Sequence, residues 1–124
     1  MIAADTSSLV PYFEGERARD TDLIEAALAD GQLYISPVVL TELLSDPKSR
    51  GSLQPIVTAW PLLEPTPGYW IRASQTRAQV LARRLKARLP DTLIAQASID
   101  YNVLLITRDP DFEPFAKLCG LRLG

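Results

Sequence analysis

The chain is punctuated by short apolar runs that stop abruptly at polar residues. Met1 to Ala4 runs into Asp5, and Leu33-Tyr34-Ile35 runs into Ser36-Pro37. Val103 to Ile106 ends at Thr107, with Asp109 and Asp111 close behind, and Leu121-Arg122-Leu123 forms a last run. Apolar runs of this length between turn signals predict short buried strands. Leu62-Leu63, confined between Pro61 and Pro65, allows at most one more.

The stretches between these runs carry helical spacing. Asp5 to Ser8 are capping residues for a short helix through Leu9 to Phe13. Leu23, Ile24, Ala27 and Leu28 predict a helix over 22–29 with Thr21 as N-cap. Ser36 followed by Pro37 is a strong start signal for a helix through Leu44. Leu53 to Trp60 predicts a short helix despite Pro55. The longest pattern runs from Tyr69 to Lys86, with Trp70, Ala73, Val80, Leu81 and Leu85 on one face and Leu89-Pro90 closing it. A further helix covers Asp91 to Tyr101, stopped by Asn102, and a last one covers Phe112 to Leu118, stopped by Gly120. Short strands alternating with helices predict a three-layer α/β/α fold with a mostly parallel sheet of four to five strands. No repeat, low-complexity tract or linker divides residues 1–124, so a single domain is expected.

Composition narrows the chemistry. Apolar residues make up 47% and charged residues 23% of the chain, the balance of a folded globular protein. The net charge of −2 provides no global basic field, so any nucleic-acid contact must come from a local patch or bound cations. Cys119 is the only cysteine, which removes disulfide frameworks and thiolate metal sites and fits a reducing cytosol. There is no apolar run long enough for a membrane span, and the first residues lack a signal-peptide pattern. Histidine is absent altogether, so Ser-His-Asp and Cys-His catalysis and histidine-based zinc sites are excluded. A hydrolase built from this sequence would have carboxylates and a hard metal ion as its tools.

In an open parallel sheet, ligands bind beyond the carboxyl ends of the strands. Four acids are expected at that edge: Asp5 after the first strand, Glu42 in the helix entered from the second, Asp91 opening the helix before the third, and Asp109 just after it. Glu42 falls between Val38 and Val39 on the helical wheel, and no Lys or Arg occurs in residues 33–47. A carboxylate buried there would need a shared cation. Each acid taken singly also has an ordinary role open to it. Asp5 and Asp91 suit helix caps, Asp109-Pro110-Asp111 suits a turn, and Glu42 could point to water. Together they suit Mg²⁺ or Mn²⁺, which take oxygen ligands, activate water and neutralise phosphate charge.

The ordered set Ile2-Ala3-Ala4-Asp5-Thr6-Ser7, Ser36-Pro37-Val38-Val39-Leu40-Thr41-Glu42-Leu43, Asp91-Thr92-Leu93-Ile94-Ala95 and Leu105-Ile106-Thr107-Arg108-Asp109-Pro110-Asp111-Phe112 resembles a PIN domain. More narrowly, it resembles the VapC-type toxin ribonucleases of prokaryotic toxin–antitoxin pairs. The resemblance implies a Mg²⁺- or Mn²⁺-dependent endoribonuclease that cuts single-stranded segments of structured RNA. By position, Asp5, Glu42, Asp91 and Asp109 would be its acidic, metal-binding quartet, with Thr6, Thr107 and Asp111 as auxiliary residues. It leaves open whether Asp111 shares or replaces the role of Asp109. It further implies a homodimer and a small VapB-like antitoxin.

Arg77, Arg84 and Arg88 fall near one face of the longest helical pattern and form a candidate RNA-steering stripe beside the acids, or simply a solvated face. Arg108, inside the acidic loop, is open to either a structural ion pair or a phosphate contact. Tyr12, Phe13 and the helix ending at Trp60 provide apolar surface for a partner. Two other classes deserve comparison. A receiver-like phosphotransfer domain would want adjacent acids after the first strand and a lysine after the last, and the chain has neither. A stand-alone or non-catalytic PIN-like module that binds RNA or protein is the second, and the intact acids argue against its lacking catalysis.

Overall fold

The computed structural model describes residues 1–124. Four short strands, β1 (Ile2–Ala4), β2 (Leu33–Tyr34), β3 (Leu104–Ile106) and β4 (Arg122–Leu123), form one sheet in the order β2-β1-β3-β4. Every pairing is parallel, with Ala4 opposite Ile106 at the centre. Seven α-helices flank the sheet: α1 (Thr6–Phe13), α2 (Arg19–Ala29), α3 (Pro37–Leu43), α4 (Arg50–Val57), α5 (Tyr69–Ala82), α6 (Leu89–Tyr101) and α7 (Glu113–Cys119). A single 3₁₀ turn over Pro110–Phe112 precedes α7. The expected fifth strand is reduced to one bridge between Ile35 and Leu62. No helix is long and apolar enough to cross a membrane.

Two strands leave β1 in opposite directions through the sheet, β2 on one side and β3 on the other. The crevice between the ends of β1 and β3 is therefore the topological switch point where α/β sheets bind ligands. The core beneath it is apolar: Ala3, Ala4, Leu105 and Ile106 are buried, and Leu9, Val39, Phe112 and Phe115 are fully enclosed. Burial of each large side chain stabilises the fold by about 1.5–3 kcal/mol. α6 is enclosed along much of its length, from Asp91 and Thr92 through Ile94 to Ser98. It therefore lacks the simple apolar stripe that its sequence predicts.

Several boundaries differ from the sequence expectation for physical reasons. α2 starts three residues early, because Thr21 lies inside the first turn. Its hydroxyl accepts the Ala18 N–H at 2.8 Å and donates to the Ala18 carbonyl at 3.1 Å. α5 ends at Ala82, not Lys86, since Arg84 takes a left-handed conformation with φ 60°. Leu89 and Pro90 do not close α5. They are the first two residues of α6, where a missing proline N–H costs nothing. Of the predicted stripe only Ala73 and Val80 are buried, whereas Trp70, Leu81 and Leu85 are exposed; Tyr69, outside that stripe, is buried instead. The stop at Asn102, with φ 54°, and the one at Gly120, with φ 81°, fall as expected in left-handed conformations.

Candidate metal centre

Each acid is delivered to the switch-point edge by a different local device. Asp5 follows β1 directly; its own N–H donates to the Ile106 carbonyl at 2.9 Å, which fixes it against β3. Its carboxylate caps α1 and takes the Ser7 hydroxyl at 2.8 Å and the Thr107 hydroxyl at 2.9 Å on the same oxygen. Thr107 in turn accepts the Asp109 N–H at 3.0 Å. The Asp109 carboxylate accepts the Asp111 N–H at 2.9 Å and so opens the 3₁₀ turn. Asp91 is the third residue of α6, in the first turn where unpaired N–H groups favour negative charge. Glu42 sits near the end of α3, and its carboxylate accepts the Thr6 hydroxyl at 2.8 Å.

The tightest group is Asp91, Asp109 and Asp111, which can each offer a carboxylate oxygen within 4.8 Å of the others. Asp111, the uncertain residue of the sequence reading, belongs to this trio. Asp5 and Glu42 flank it. The fields of Asp5 and Asp91 both raise the Glu42 pKa, and those of Asp109 and Asp5 raise that of Asp91. In both acids desolvation is the larger cause of the upward shift. Glu42 is nevertheless exposed as a residue, because α3 turns Val39 and Leu43 into the core and leaves the carboxylate at the rim. The crowding of unlike sequence positions into one acidic edge has the all-oxygen donor character that Mg²⁺ and Mn²⁺ require.

Two cations lean over this edge. The Arg88 Nε donates to Asp91 Oδ2 at 3.2 Å, and its Nη2 reaches Asp111 Oδ2 at 3.1 Å and Asp109 Oδ2 at 3.6 Å. Lys86 Nζ lies 3.0 Å from the same Asp111 oxygen. The other candidate cations are placed differently. Arg108 turns away from the acids and pairs with Asp20 and Glu16, at 2.6 and 3.0 Å. Arg77 donates to the Ala87 carbonyl at 2.8 Å and steadies the connection between α5 and α6. Arg84 lies beyond the end of α5, so the expected Arg77–Arg84–Arg88 helical stripe does not form. Sequence position alone does not single out Lys86; its place in the short α5–α6 connection, two residues before Arg88, is the signal that marks it.

Two apolar grooves lie apart from the acids. One, of about 500 Å³, runs between α1, α2 and α4 and is lined by Tyr12, Phe13, Leu28, Ile56 and Trp60 with a charged rim. Phe13 and Trp60 stack within it, their ring centroids 5.7 Å apart and their planes nearly parallel. The other, of about 370 Å³, lies on α5 and α6 beside Trp70, Leu81, Leu89 and Leu93.

A model of the PIN domain matches residues 2–118, and the chain belongs to that family. Its fold is shared with structures of prokaryotic toxin–antitoxin proteins. VapBC2 from Rickettsia felis, solved bound to a promoter DNA fragment, matches with a TM-score of 0.79 at 20% identity, covering 100% of this chain and 98% of that one. DNA-bound VapBC from Salmonella typhimurium matches with a TM-score of 0.75 at 16% identity, covering 100% and 98%. FitAcB from Neisseria gonorrhoeae matches with a TM-score of 0.71 at 16% identity, covering 100% and 97%. No curated protein sequence matches the chain.

Proposed function

We propose that this chain is a Mg²⁺- or Mn²⁺-dependent endoribonuclease and the toxin of a type II toxin–antitoxin pair. The observation that carries the reading is the convergence of Asp91, Asp109 and Asp111 within 4.8 Å at the switch point of a PIN fold, with Asp5 and Glu42 beside them. Asp91, Asp109 and Asp111 would hold the cation, Asp5 would complete the set from the β1 side, and Glu42 would act from the rim. When bound, the cation supplies an activated water and neutralises charge on the scissile phosphate. Thr107 holds Asp5 and the Asp109 backbone in fixed relation, and Thr6 does the same for Glu42. Because water attacks, the 2′-hydroxyl of RNA is not consumed as nucleophile. The products should carry 5′-phosphate and 3′-hydroxyl ends.

The partners follow from the surfaces. The groove of Tyr12, Phe13, Ile56 and Trp60 suits an amphipathic segment of a small VapB-like antitoxin, and the neighbouring folds are those of VapBC and FitAB proteins. The exposed Trp70, Ile71, Leu81 and Leu89 on α5 and α6 suit self-association into a homodimer. On this reading the chain would act on cellular RNA in the cytoplasm. The decisive experiment incubates purified, metal-stripped chain with structured RNA, with and without Mg²⁺ or Mn²⁺, and maps the product ends. Metal-dependent cleavage leaving 5′-phosphates supports the reading; cyclic phosphate ends would sink the mechanism. Activity that survives Asp91→Asn would trace it to a contaminant and point to a non-catalytic binding module.

A further inference from the structure

We infer that Arg88 is a built-in counter-ion of the acidic cluster: it bridges Asp91, Asp109 and Asp111 and has to release them for a divalent cation to bind. This rests on the metal-dependent reading above and adds that cation binding is an exchange, not a simple filling.

The carboxylates close enough to share one cation are the same three that Arg88 contacts. Its planar fork reaches all of them at once, through Nε to Asp91 and Nη2 to Asp109 and Asp111. In each case the contacted atom is Oδ2. A cation drawing on those oxygens would face the guanidinium at close range. A divalent cation and a guanidinium at that separation repel one another, more strongly in the poorer screening near a protein surface than in bulk water. The arrangement therefore favours one occupant at a time.

The arginine is built to leave. Its side chain is 55% exposed and sits at the N-terminal boundary of α6, preceded by the exposed connection from α5. Its structural duty at that boundary is done by its backbone, whose carbonyl accepts the Thr92 N–H at 3.0 Å and hydroxyl at 2.9 Å. Release of the guanidinium leaves those bonds intact. Arg108 offers the contrast: it also lies among the acids in sequence, yet its charge is committed to Asp20 and Glu16 on the α2 side. Lys86 adds a second, single-point contact on Asp111 and reinforces Arg88 without bridging the cluster.

The test measures cation binding, not activity. Mn²⁺ affinity of the full chain is read by electron paramagnetic resonance for the wild type, Arg88→Gln and Arg88→Lys. Arg88→Gln is expected to bind about 3- to 10-fold more tightly, with Arg88→Lys nearer the wild type. In parallel, the wild type labelled with ¹⁵N is titrated with Mg²⁺, and the arginine Nε–H signals are followed. The Arg88 signal, assigned by its absence in Arg88→Gln, should move with the same midpoint as the Asp91 and Asp109 amides. The Arg72 signal, held by Asp100 in a separate pair, should stay in place. Unchanged or weaker Mn²⁺ binding by Arg88→Gln, or an Arg88 signal indifferent to bound Mg²⁺, overturns the exchange and leaves the metal reading standing. A wild type that binds neither ion overturns both. If Arg88→Gln does not fold, the wild-type Mg²⁺ titration alone decides, with Arg88→Lys supplying the assignment.

Discussion

Thr107 Oγ1 donates to Asp5 Oδ2 at 2.9 Å, a bond between residues 102 positions apart that joins the ends of the two central strands. The same Thr107 oxygen accepts the Asp109 N–H, so one hydroxyl fixes an acid from each strand. Thr107→Val keeps the shape and removes the hydroxyl. It is expected to lower Mn²⁺ affinity and RNA cleavage by about 10- to 100-fold, the usual effect of losing a group that orients a metal ligand. Thr107→Ser should restore most of both. Equal activity of the valine and threonine proteins would remove Thr107 from the site.

Asp91 carries the opposite kind of tension. Burial, aided by the charges of Asp109 and Asp5, holds its pKa above the ordinary 3.8, against the pull of Arg88. A carboxylate with a raised folded pKa prefers its proton in the fold. Its ionisation therefore costs stability as pH rises from the ordinary carboxylate range through the folded value, and the full cost remains at neutral pH. Asp91→Asn should thus abolish cleavage while raising the melting temperature of the metal-free protein at pH 7. That gain should shrink as pH falls through the raised folded value and be gone below about 4. Calorimetry of both proteins across this range checks the sign; a destabilised Asn variant at pH 7 would mean that the Arg88 pair outweighs burial.

Asp20 behaves in the reverse sense. The hydrogen bond from Arg108 is the largest influence on it and, with the Thr21 N–H and the arginine's charge assisting, lowers its pKa from 3.8 to about 2 against partial burial. A depressed folded value means stability that is present above the unfolded pKa and lost as pH falls through the folded one, here from about 4 to about 2. Asp20→Ala also loses the acceptor for the Thr21 N–H in the first turn of α2. Urea unfolding should show a loss of about 1–2 kcal/mol at pH 7. The difference from wild type should fade towards pH 2. A difference that persists undiminished at pH 2 would assign the effect to packing instead of charge.

The sequence carried the outline of this architecture because its signals were local. Ser36 before Pro37, Asn102 after α6 and Gly120 after α7 each act through their own backbone, and all three stand where the pattern placed them. The errors came from residues whose role is set by distant neighbours. Trp70, Leu81 and Leu85 have helical spacing and apolar side chains, but α6 and α7 pack against other faces of α5 and leave these three in the open. Leu89-Pro90 reads equally well as a stop or as a first turn, and only the left-handed Arg84 upstream decides for the start of a new helix. Asp5, Asp91 and Asp109 were legible because each follows a strand or opens a helix, and Glu42 because it falls among apolar positions of its helix. Their grouping was not: the closeness of Asp111 to Asp91 depends on the 3₁₀ turn that Asp109 caps. Lys86 and Arg88 came to the acids because α5 stops early, which no helical wheel drawn through Lys86 could show.

The α1–α2–α4 groove makes a last prediction that separates partner binding from catalysis. Ile56 lines it and is 46% exposed, whereas Phe13 and Trp60 stack at its wall and contribute to the fold. A charge at Ile56 should therefore disturb an apolar guest more than it disturbs the host. Ile56→Glu should change stability by no more than about 0.5 kcal/mol, as expected of an exposed position. It should leave RNA cleavage by the isolated chain intact, because the groove lies apart from the acids. Binding to the proposed VapB-like antitoxin should weaken about tenfold or more, the cost of placing a carboxylate against a buried apolar contact. Titration calorimetry with that protein, alongside a cleavage assay, reads both arms. If Ile56→Glu binds as tightly as the wild type, the groove is not the antitoxin's seat. The exposed α5 face, probed by Trp70→Glu, would then be the next surface to test.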